Sequence, residues 1–205
     1  MSELATYVQL GFRHIVDVAA MDHILFLVAL AAIYHPRDVR QALWVITAFT
    51  IGHSVTLGLA VTGVVHFPSA VIEFLIPVTI VATGVENLIA SARRRAGIQS
   101  RYRPVFAGVF GLVHGAGFAN YLSAMFVTRI ALPLFGFNVG IELGQIVILG
   151  AAAIVLAAID LGIDAAIAFS KVPSTRWPAL RVRIVGVSLL VVAVASRWAV
   201  ERSPW

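Results

Sequence analysis

The chain contains no cysteine and only three methionines among its 205 residues. That excludes disulfides and thiolate metal ligands, and three thioethers are too few for a copper-type cluster, so any transition-metal site must be built on imidazole and carboxylate. Charge is also scarce, at 12% of residues against 60% hydrophobic, and mean hydropathy is +0.94. A soluble domain of this size needs far more polar surface. No phosphate-cradling glycine loop, nucleophile elbow or His-Glu-x-x-His helix occurs. No basic stretch followed by an apolar core and a small-residue cleavage site opens the chain, so no removable signal peptide is expected.

What is present is a series of apolar runs long enough to cross a bilayer, about 20 residues each. Hydropathy and breaker residues predict spans at 15–34, 40–62, 69–91, 104–127, 132–159 and 179–199. The expected fold is an all-α, polytopic membrane protein, one transmembrane domain over 1–205 with a bundle of about six helices. The stretch from Asp160 to Pro178 is expected to hold the end of the fifth helix and an interfacial segment.

The basic residues orient such a bundle. Arg37, Arg40, Arg93, Arg94, Arg95, Arg101, Arg103, Lys171, Arg176, Arg181 and Arg183 fall on one side, and Arg13, Arg129, Arg197 and Arg202 on the other. Positive charge marks the cytoplasmic side, which puts both termini outside. Trp44, Trp177 and Trp198 fall near span ends, where interfacial aromatics belong. The sequence pI of about 10.4 thus reflects loop arginines, and no nucleic-acid partner is expected. Gly136, Gly140 and Gly144, and Gly111 with Gly115, recur one turn apart; they suit close internal helix packing or, alternatively, a homo-oligomer.

Ionisable groups inside a membrane are expensive and persist where they are paired or used. Asp22 and His23 fall in the first span, His53 in the second, Glu73, Glu86 and Asn87 in the third, His114 in the fourth, and Asn138, Glu142 and Gln145 in the fifth. From helix rise, Asp22, His23, His53, Glu142 and His114 lie about 10–20 Å from the outer face. One shared site is simpler than independent accidents at one level. Three imidazoles with carboxylates suit a borderline divalent ion, Ni²⁺, Co²⁺, Zn²⁺ or Fe²⁺, although a proton site, or core histidines bonded to backbone carbonyls, would use the same residue types. Asn138, Glu142 and Gln145 share one helix face, with Gly140 and Gly144 roughly opposite. Thr50 shares a face with His53 and offers it a hydroxyl. His14, His35 and His66 fall at interfaces and read as surface groups, His14 also as an entrance ligand beside Asp17. Glu73 suits an entrance. Glu86 suits an exit or a pair with an arginine of the following loop.

Several blocks resemble one family. Gly11-Phe12-Arg13-His14-Ile15 leading to Asp22-His23-Ile24-Leu25-Phe26 resembles the first helix of the HupE/UreJ membrane proteins. So do Thr47-Ala48-Phe49-Thr50-Ile51-Gly52-His53-Ser54-Val55-Thr56-Leu57, Val85-Glu86-Asn87, Phe110-Gly111-Leu112-Val113-His114-Gly115-Ala116-Gly117-Phe118-Ala119 and Gly136-Phe137-Asn138-Val139-Gly140-Ile141-Glu142-Leu143-Gly144-Gln145. The resemblance implies a six-helix protein of the bacterial inner (plasma) membrane, in a family whose better-understood members are regarded as nickel or cobalt permeases. Asp22 and His23 match that family's Asp-His pair. Here seven residues rather than five separate His14 from Asp22, Asp17 is added, and a first-helix glycine is absent, as in a divergent branch. Three functions follow as expectations. The first is a permease for a divalent metal ion bound by Asp22, His23, His53, His114 and Glu142. The second is an intramembrane metallohydrolase with Glu142 as base. The third is a structural membrane partner whose polar groups join helices.

Overall fold

The computed structural model describes residues 2–35, 38–66, 68–92, 102–123, 130–170 and 179–205. Arg37, Arg93, Arg94, Arg95, Arg101, Arg129, Lys171, Arg176 and Trp177, used above to orient the chain, lie outside the described residues, as does the end of the 104–127 span. Among the described residues every regular element is helical: α1 (Glu3–Val16), a 3₁₀ turn (Val18–Ala20), α2 (Met21–Ile33), α3 (Val39–Val61), α4 (Ser69–Ala92), α5 (Arg103–Ser123), α6 (Ala131–Ser170) and α7 (Ala179–Glu201). α3, α4, α6 and α7 are each long and apolar enough to cross a membrane, and α1 with α2, taken as one broken span, makes five.

The first span, expected over 15–34, is broken into two helices. The chain is already helical from Glu3, where the Ser2 side chain caps the helix by accepting from the Ala5 amide at 3.3 Å. It then breaks after Val16 and resumes at Met21, with α1 and α2 bent by 70°. The fifth helix continues beyond 159, as expected of the Asp160–Pro178 stretch, and α6 runs through Asp160 and Asp164 to Ser170. Its 40 residues extend about 60 Å, twice a hydrocarbon core. Asp160 is accommodated because Arg183 of α7 donates to it.

Glycine sets the closest approaches. A Cβ on Gly111 would lie 2.0 Å from the Phe49 carbonyl oxygen, and one on Gly115 would lie 2.4 Å from that of His53. α5 and α3 therefore run side by side at backbone contact, with their histidines at one level. On α6, Gly136 and Gly140 receive α1 at Leu4 and Val8, and Gly144 receives it at Ile15. These glycine faces are filled within the chain, so a second copy would have to dock elsewhere. α4 packs against α7, where Gly84 meets Ser188 and Val192. The core between the helices is Phe26, Leu27, Phe49, Leu57, Phe137 and Ile141 with their neighbours.

Candidate metal centre

The bend after Val16 builds the site. In a straight helix His14 and His23, nine residues apart, would lie about 13 Å apart along the axis and on opposite faces. The 70° turn instead brings their ring centroids to 4.9 Å. His53 of α3 stands 6.4 Å from His14 and 6.3 Å from His23, and His114 of α5 stands 5.1 Å from His23. His14, His23 and His53 each turn a ring nitrogen inward, and these three atoms lie within 4.8 Å of one another. His14, placed at the surface by the sequence, is therefore a member of the cluster. His35 and His66 are exposed.

The nitrogens of this cluster lack partners. His14 Nε2, His23 Nε2, both His53 nitrogens and His114 Nδ1 are buried without a hydrogen bond among the described residues. His53 is fully enclosed and His23 is 8% exposed. Asn138 lies beside His53 without forming a well-aligned hydrogen bond to it, and its amide nitrogen donates one N–H to the Leu134 carbonyl at 2.8 Å. Buried polar atoms are normally satisfied, and each orphan costs about 1–3 kcal/mol. A neutral imidazole offers one lone pair, and the three rings of His14, His23 and His53, with one nitrogen each within 4.8 Å of the others, fit a guest that accepts one lone pair from each. A divalent ion bound by nitrogen at about 2.1 Å is such a guest. Phe26, Phe49, Phe118 and Phe137 surround the rings, with Phe118 stacked on Phe137 at 5.3 Å and on one side of His14 at 4.0 Å. They keep the site dry on those sides.

His114 has a side-chain bond, between its Nε2 and Thr79 Oγ1 of α4 at 3.1 Å. Pro77 lies two residues before that threonine inside α4. Lacking an N–H, it leaves the Glu73 carbonyl without its intrahelical donor.

The other residues singled out in the sequence go to different places. A cavity of about 530 Å³ leads from the end of the bundle where α7 finishes down to His14, His23 and His114; Asp17, Asp22, Glu73, Arg13 and Arg202 line it. Asp22 thus faces the same space, but Arg202 holds its carboxylate at 3.1 and 3.3 Å. Glu142 is not brought to the imidazoles. It accepts from Thr47 of α3 at 2.6 Å, and one turn on Gln145 accepts from Thr50 at 2.9 Å. These bonds join α3 to α6, and the Thr50 hydroxyl serves Gln145 rather than His53. Glu86 and Asn87 lie at the far end with Arg103, which approaches them at 3.2 and 2.9 Å.

The pair expected between Glu86 and an arginine of the following loop is met by Arg103, but the burial of Arg103 and Arg183, read as loop charges and 7% and 4% exposed, was not foreseen. Arg183 donates to the Ala32 and Tyr34 carbonyls, closing the C-terminal end of α2. Arg202 had been read only as an outward charge. The one available signal was position, because each stands within a few residues of the end of an apolar run.

A protein-family model described as HupE / UreJ protein matches residues 1–202. No curated protein and no solved structure matches the chain.

Proposed function

The chain belongs to the HupE/UreJ family, and on that premise we propose that it is a permease for a divalent transition-metal ion of the nickel and cobalt class. The observation that carries this reading is the set of partnerless nitrogens of His14, His23 and His53 within 4.8 Å of one another, at the foot of an open cavity. The ion is cargo. It is drawn in past Asp17 and Glu73 and held by the three imidazoles, with His114 as a fourth ligand once it turns its free Nδ1. Asp22 joins when Arg202 releases it. With α5 as the sixth crossing, the fold suits the bacterial plasma membrane, both termini and the cavity mouth facing outward in keeping with the arginine distribution.

The same imidazoles would serve a resident catalytic ion. That reading names Glu142 as base, and the Glu142 bond to Thr47 lends it no support. Proteoliposomes containing the purified protein test the permease. Flux of at least one of Ni²⁺, Co²⁺, Zn²⁺ and Fe²⁺ above that of empty vesicles is expected, together with an ion that washes out under brief chelation. No flux of any of the four, or an ion retained at one per chain through chelation, would defeat it.

A further inference from the structure

Two features play no part in ligation at the imidazole cluster. Along α4, Thr79, Thr83, Asn87 and Ser91 are all buried and recur at intervals of four, so they form one polar line about 18 Å long. The line starts at Thr79, bonded to His114 at 3.1 Å. Thr83 donates to the Thr79 carbonyl at 3.0 Å, Asn87 donates to the Ala29 carbonyl at 2.7 Å, and the Ser91 hydroxyl is buried without a partner among the described residues. The second feature is the Arg103 guanidinium, buried across that line. It donates to Asn87 Oδ1 at 2.9 Å, pairs with Glu86 at 3.2 Å and lies 5.7 Å from the Tyr34 ring centroid. The cavity above the imidazoles reaches α4 only at Glu73 and Ile76, so its lining stops short of Thr79.

We propose that the polar line of α4 is the path by which a cation leaves the imidazole cluster, and that the Arg103–Glu86–Asn87 bridge is the gate closing that path in this conformation. The proposal rests on the permease reading. A partly dehydrated cation crossing an apolar bundle needs oxygen ligands in steps, and the threonine and serine hydroxyls, the Asn87 carbonyl and the Glu86 carboxylate supply them one turn apart. A guanidinium fixed in the same path repels that cation strongly, because charges interact several-fold more strongly in a protein interior than in water. Glu86 is the element that can switch, since the carboxylate that holds Arg103 is also the ligand a departing cation would take.

The absence of cysteine makes the test direct. Thr83→Cys and Ser91→Cys each introduce a unique thiol, probed with a membrane-impermeant, cationic thiosulfonate applied to sealed vesicles of either orientation. With Arg103 in place, both thiols should be silent from both sides. With Arg103→Gln they should react at least tenfold faster from the side opposite the cavity mouth, and Arg103→Lys should restore most of the protection. Glu86→Gln, which frees Arg103 without removing it, should give a smaller increase and guards against an Arg103→Gln chain that does not fold. Ni²⁺ binding at the imidazoles, measured on the same variants, should stay within about twofold of the parent. Thiols that react equally with and without Arg103, in variants that still bind Ni²⁺, would overturn the gate. Absence of binding of Ni²⁺, Co²⁺, Zn²⁺ and Fe²⁺ alike from the parent would instead overturn the permease reading and leave the labelling result standing.

Discussion

The imidazoles and the buried arginines of the bundle are treated in opposite ways. At the foot of the cavity, five nitrogens on four imidazoles are enclosed with no donor or acceptor among the described residues. At the far end, Arg183 is just as enclosed but is directed at two α2 carbonyls and Asp160, and Arg103 is directed at Glu86 and Asn87. Satisfied groups hold helices together, and their removal leaves uncompensated charge. Unsatisfied groups cost stability and persist where a guest completes them. The proposed function gives the cluster to binding, whereas Arg183 ties α2, α6 and α7 together.

Substitution can break that contrast, and the largest effect is expected at His53. His53→Leu should lower divalent-ion affinity by more than about 100-fold, since partners behind a ligand already account for 10–100-fold. The ion-free protein should be as stable as the parent or more so, by about 1 kcal/mol, because two orphaned nitrogens are gone. Isothermal titration and thermal unfolding in detergent check the two halves. Arg183→Met should do the reverse, costing about 3 kcal/mol of stability by stranding Asp160 and the α2 carbonyls, with ion affinity in the folded fraction within about twofold of the parent. Gly111→Ala should damage both properties. The Phe49 carbonyl 2.0 Å from the new Cβ must move, at about 1–3 kcal/mol, and His53 and His114 move apart with it. Gly186→Ala, with open space at the Cβ, is the neutral control. Acidification sharpens the contrast further. A protonated imidazole cannot ligate, so binding should fall with pH by up to about tenfold per unit for each imidazole that takes a proton, whereas stability of the ion-free protein should show no parallel loss from the arginine end. Thr79→Val, which removes the single partner of His114, should weaken binding only a few-fold.

The histidines and the glycine contacts were legible in the sequence because both carry strong local signals, a costly residue type in an apolar run and a spacing of four. The membership of His14 was not. Asp17-Val18-Ala19-Ala20 holds neither glycine nor proline, so nothing in it gives the 70° bend, and without that bend His14 points away from His23. The end of α6 at Ser170 falls in the Asp160–Pro178 stretch expected to hold it; what the sequence does not show is the partner on α7 that makes Asp160 tolerable inside the helix. Asp22 and Glu142, expected as ligands, bond instead to Arg202 and Thr47. Whether an acid meets an imidazole, an arginine or a threonine depends on helix rotation, which apolar periodicity fixes poorly when every face is apolar.

X-ray absorption on the purified protein loaded with one equivalent of Ni²⁺ or Co²⁺ tests the central claim most directly. Ligation by His14, His23 and His53 requires the multiple-scattering signature of at least three imidazoles, reduced by one in His53→Leu if the ion still binds. A shell of oxygen alone, or a spectrum unchanged by that substitution, would contradict it.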